Sequence, residues 1–166
     1  PLTAAKIELG KQLFFDKQLS KGRDISCASC HDPQKGWSDG LSVSVGHLGQ
    51  KGNRNAPSIL NSAFSSTQFW DGRVATLEEQ SLHPIQNPIE MALSHDELLA
   101  RLQASPDYQA AFATAFGDQG ITLERIAKAI ATFERTIISR DSDFERFVKG
   151  DSQALSDKAL WGMHLY

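Results

Sequence analysis

The stretch Cys27-Ala28-Ser29-Cys30-His31 decides how the rest of the chain is read. Two cysteines separated by two residues and followed at once by histidine form the attachment pattern of a c-type haem. Each position has a chemical reason. The two thiols add across the haem vinyl groups, and the imidazole beside the second cysteine is then held under the iron as its proximal ligand. Other readings of a Cys-x-x-Cys fit less well. A redox dithiol wants a βαβ surround, and the flanks lack alternating strands and helices. A zinc site needs a second ligand pair, and the chain has only these 2 cysteines. A disulfide between them would close a very small loop and add little stability.

The chain has 166 residues, which fits one domain on a prior of about 100–200 residues per domain. A formal charge of −3 excludes the basic footprint of a nucleic-acid binder. No apolar run approaches the roughly 20 residues of a membrane span. Pro1-Leu2-Thr3 opens directly on a helix pattern, which reads as a mature or trimmed start. Haem attachment to cysteines is an export-side chemistry, so the motif points to the bacterial periplasm.

The pattern around the motif is helical, without a strand signal. Thr3 to Phe14 reads as a helix with Thr3 as N-cap, and Gly10 inside it marks either a tolerated glycine or a close helix crossing. Asp16 to Asp24 is turn-like, and Asp32-Pro33 ends the local helix after His31. Gln34 to Pro57 is rich in glycine and irregular, a length of loop that needs work such as covering a cofactor. Trp70 reads by default as a core aromatic. Thr76 to His83 reads as a short helix stopped by Pro84, and Ser94 to Glu97 as a capping box. Pro106 to Phe116 and Thr122 to about Ile138 read as helices, the second with Ile126, Ile130, Phe133 and Ile137 on one face and Arg135 facing away. Ser156 caps a last helix whose apolar face carries Trp161, Leu165 and Tyr166. That helix stops without a cap, which reads as a fragment of a longer protein. The expected fold is all-α: a cytochrome c-like helical domain, residues 1–166, around one covalently attached haem, with long irregular loops.

The sixth iron ligand separates two functions. In an electron carrier a methionine closes the second face, and Met91 lies at a plausible distance beyond His31. In a peroxidase that face opens, and an acid/base moves a proton between the two peroxide oxygens. Glu90 is the candidate for that group, with an exposed turn carboxylate as its ordinary alternative.

The sequence resembles the N-terminal haem domain of bacterial dihaem cytochrome c peroxidases. The resemblance is carried by Leu13-Phe14-Phe15-Asp16, Leu19-Ser20, Ile25 to His31, Gly46-His47, Gln50-Lys51-Gly52, Arg54-Asn55-Ala56-Pro57, Leu60-Asn61-Ser62, Phe69 to Arg73, Glu79-Gln80, Pro88, Glu90-Met91 and the Ala127 to Thr136 segment. It implies that Cys27 and Cys30 carry the haem c thioethers and that His31 is the proximal iron ligand. It implies that His47 occupies the distal face of the iron in the resting oxidised enzyme and swings away on activation. Glu90 is then the catalytic acid/base, Gln80 helps to position hydrogen peroxide, and Trp70 lies on an electron route to a second haem. Asn55 belongs to a calcium site at the domain boundary, and Met91 becomes a neighbour of the active site. The resemblance also implies a second haem domain beyond Tyr166, absent from this chain, a small cytochrome c or cupredoxin as electron donor, and a homodimer at full length. MauG-like proteins, which use a similar dihaem body to oxidise protein side chains, are a further reading.

Overall fold

The computed structural model describes residues 2–117 and 120–166, so Pro1, where the helix pattern was taken to open, lies outside the described residues. Among the described residues, eight α-helices are joined by loops and single 3-10 turns: α1 Ala4–Phe15, α2 Cys27–Cys30, α3 Leu77–Gln86, α4 His95–Gln103, α5 Pro106–Phe116, α6 Leu123–Glu134, α7 Asp143–Val148 and α8 Asp157–Leu165. Among the described residues β pairing is limited to three isolated bridges, Asp32 with Ser38, Val45 with Lys51 and Gln68 with Val74, each closing a short loop. The all-α expectation holds.

The core forms where α1 crosses α6. Thr3 caps α1 by accepting from the Lys6 amide at 3.3 Å, and Leu9, Leu13 and Phe14 on one face are buried. Gly10 sits at the crossing. A Cβ there would lie 1.9 Å from the Ala129 carbonyl oxygen and 2.9 Å from the Phe133 Cβ. The glycine is therefore the close-crossing kind, because any side chain would push the two helices apart. Beside it the rings of Phe14, Phe133 and Trp37 pack edge to face and tilted, with centroids 5.3 to 6.2 Å apart. Ile126 and Ile130 of α6, Leu98 and Leu102 of α4 and Phe112 of α5 complete the core.

Several elements depart from the sequence reading. α3 runs through Pro84 to Gln86, although a proline removes one backbone donor. Ile85, just beyond it, is fully buried, so packing of that turn outweighs the lost hydrogen bond. α6 stops at Glu134, short of Ile138, and Arg135 turns inward to clamp the Glu78 carboxylate at 2.7 and 2.9 Å. Ser94 caps α4 as expected, but Glu97 pairs with Arg101 at 2.7 Å, so the reciprocal half of a capping box is replaced by an ion pair. Arg101 also donates to the carbonyls of Gln18, Ser20 and Lys21, which fixes the turn leading into the haem motif. α7 has a capping box of its own, Ser142 with Glu145, that the pattern reading passed over. Trp161 and Leu165 of the last helix and Tyr166 just beyond it lie exposed.

Gly10→Ala tests the crossing. Alanine is the better helix former by about 1 kcal/mol, yet here it is expected to destabilise the fold by roughly 1–3 kcal/mol through overpacking. Denaturant unfolding measures the difference, and a gain in stability would show that the helices do not meet at Gly10.

Candidate haem site

α2 is a single turn that starts where Ser26 donates its backbone amide to the Ser29 hydroxyl at 3.0 Å. It sets Cys27 and Cys30 on one wall of a cavity of about 580 Å³. His31 follows as the residue that ends the turn and lies on the same wall. Cavities of about 300–1,000 Å³ hold cofactors, so the volume suits a macrocycle. The two cysteines are free thiols. Burial pushes the Cys27 thiol up to about 12, with Glu134 and Cys30 adding to the rise. Burial also raises the Cys30 thiol, helped by Asp39 and Glu90. Neither is the depressed thiolate that a redox dithiol needs.

The His31 side of the cavity is organised by Trp37. His31 Nδ1–H donates to the Trp37 carbonyl at 3.2 Å, and burial lowers the imidazole's pKa against hydrogen bonding to the Trp37 and Pro57 backbones and the charge of Asp39. A backbone acceptor that fixes the ring in this way is the usual support of a histidine that binds a metal. Trp37 itself holds a left-handed backbone, φ 62°, with its ring locked in the Phe14 and Phe133 cluster. The strain is met by packing, and the carbonyl is aimed as a result.

Glu90, Met91 and Gln80 also line the cavity. Glu90 stands on the turn after α3, and its Oε1 accepts from the Asn87 amide nitrogen at 2.8 Å. Burial raises its carboxyl above the ordinary range against the pull of Asn87, Arg73 and His83. Gln80 reaches the wall from α3. Met91 is buried both in the core cluster and at the cavity edge. His47 is brought close but not onto the wall: its backbone amide donates to the Ile89 and Glu90 carbonyls at 3.1 and 2.8 Å, and its Nδ1 is buried without a partner. The preceding Gly46 makes this docking possible, since a Cβ there would sit 2.1 Å from the Ile89 oxygen. The loop of His47 and the turn of Glu90 are thus one stitched unit.

Trp70 and Asn55 share the rim. Trp70 is 61% exposed, against the expectation of a core aromatic, and its Nε1 donates to the Asn55 carbonyl at 3.1 Å. Asp71, next to it, bridges Arg54 and Arg73, and these guanidiniums hold its carboxyl below the usual range. Sequence reasoning missed Glu134, buried at the end of α6 with Oε2 unpartnered on the cavity wall. Its signal was a charged residue inside an apolar helical stripe. Among the described residues no cluster of three or more His, Cys, Asp or Glu side chains forms a metal site, and no helix is long and apolar enough to cross a membrane.

Comparison with known proteins agrees with this geometry. The chain is 43% identical to cytochrome c551 peroxidase of Nitrosomonas europaea and 43% identical to methylamine utilization protein MauG of Methylophilus methylotrophus. Both matches cover 100% of this chain and 50% of the relative, so the chain spans about half the length of the curated relatives it matches. A crystal structure of a MauG-like protein associated with microbial copper homeostasis superposes with a TM-score of 0.86 at 39% identity, over 95% of this chain and 47% of that one. The family implies a c-type haem, and the free thiols, the adjoining histidine and the cavity fit one. Residues 4–153 match the family description "Di-haem cytochrome c peroxidase", and the chain belongs to that family.

Proposed function

We propose that residues 1–166 form the peroxide-reducing haem domain of a longer periplasmic enzyme, with Cys27 and Cys30 as the thioether anchors and His31 as the proximal ligand. The observation that supports it is convergence: Cys27, Cys30, His31, Gln80 and Glu90 all line one cavity. The bound haem supplies an iron that takes up peroxide and hands it electrons. Hydrogen peroxide, two electrons and two protons then give two waters.

The chain's own residues manage the protons. Glu90 accepts a proton from one peroxide oxygen and returns it to the other, so that the bond breaks heterolytically. Its raised pKa brings it nearer neutrality, where a carboxyl can do both. The Asn87 amide holds one carboxyl oxygen in place, leaving the other for the exchange. Gln80 offers an amide donor and acceptor to orient the substrate.

His47 is the distal ligand of the resting oxidised state in this proposal. Its unpartnered Nδ1 supports a role for the ring beyond packing, and its backbone link to Glu90 would carry any movement of the loop to the acid/base. Trp70, exposed on the rim, is the proposed electron entry from the second haem domain, itself fed by a small cytochrome c or cupredoxin. Asn55, whose carbonyl anchors Trp70, is the proposed contributor to a calcium site at the same boundary. The full-length protein is proposed to be a homodimer.

Glu90→Gln should leave haem content intact and slow peroxide cleavage by about 10²-fold or more. Stopped-flow mixing with peroxide measures this, and unchanged kinetics would remove Glu90 from the mechanism. His47→Gly should convert the resting ferric spectrum to one of an open, ligand-accepting iron. An unaltered spectrum would rule out His47 as a ligand.

A further inference from the structure

Glu134 has no part in the roles above, yet it is the most enclosed charged side chain on the cavity wall. It is 4% exposed, its Oε2 has no hydrogen-bond partner, and it lines the cavity together with Cys27 and Cys30. An uncompensated buried carboxylate is costly, so such a group either finds a partner or keeps its proton.

The groups that face it do not compensate the charge. On its own helix, Arg135 is committed to Glu78 through two nitrogens at 2.7 and 2.9 Å. From α3 the nearest charge is that same Glu78, a like charge. From α2 the titratable neighbour is Cys27. α1 sets apolar rings there, Phe14 and Phe15 against Phe133. Glu134 also ends α6, where the helix dipole disfavours an anion. Burial pushes its carboxyl up to about 8, Arg135 pulling the other way and Glu78 adding to the rise.

A carboxyl beside the anchoring cysteine senses the charge of whatever is anchored. An iron that gains an electron loses one positive charge, and a carboxyl in a low-dielectric wall then binds its proton more tightly. We propose that Glu134 is the proton acceptor coupled to reduction of the haem anchored at Cys27. The positive charge of the oxidised iron favours the ionised Glu134, so that as one electron arrives from a one-electron donor the carboxylate takes one proton from solvent and becomes the neutral acid. It releases that proton when the electron leaves. The inference rests on the haem-site reading above.

The test is a redox titration of the haem-loaded protein with dithionite and mediators, followed by absorbance of this haem across about pH 6 to pH 9, the range around the raised carboxyl. The reduction equilibrium should fall by up to about tenfold per pH unit, 59 mV for a one-electron couple. In Glu134→Gln, which keeps the shape and stays neutral, that dependence should vanish. A slope that survives in Glu134→Gln overturns the proposal. Should that variant fail to fold, Glu90→Gln decides: the slope must persist there, and its loss would assign the proton to Glu90 and overturn the role of Glu134. Failure of the protein to attach haem at all, read from mass and absorbance, would overturn the site reading together with this inference, and is distinct from a haem-loaded protein with a flat potential.

Discussion

The contact between Gly10 of α1 and the Ala129 backbone of α6 fixes the geometry on which the site depends. With no Cβ between them the two helices approach closely enough for Phe14 and Phe133 to meet, and Trp37 closes the cluster. Trp37 is thereby held in a left-handed backbone that aims its carbonyl at His31 Nδ1. α6 ends at Glu134, which lies on the cavity wall. A packing constraint in the core therefore orients the histidine.

The two sides of the cavity are built differently. The His31 side rests on rings packed in the core, which hold one conformation. The other side rests on a loop and a turn, His47 and Glu90, joined by backbone hydrogen bonds and by the close approach that Gly46 permits. Loops held by few buried apolar contacts are the part of a fold that can rearrange at low cost.

Much of this was legible in the chain because it is written locally. The Cys27 to His31 motif, the Thr3 cap and the helix from Pro106 to Phe116 each follow from a few adjacent residues, whereas Gly10 left a tolerated glycine and a close crossing both open until the fold set Ala129 against it. The misreadings depend on distant partners. Pro84 stays inside α3 because Ile85 is buried by the core, and Arg135 turns inward because Glu78 waits on α3. Trp70 is exposed because its indole is held at the rim by Asn55, a pairing no local pattern announces. Glu134 escaped notice for the same reason: its burial arises from three elements that meet only in the fold. The family resemblance implies separate roles for His47 and Glu90, and the structure adds the backbone bonds that join them.

The central claim is that Glu90 and His47, and not Met91, face the iron opposite His31. Near-infrared magnetic circular dichroism of the ferric haem-loaded protein reads the axial ligand pair directly. The account predicts a bis-histidine or high-spin signature. A histidine–methionine signature would place Met91 on the iron and make this domain an electron carrier.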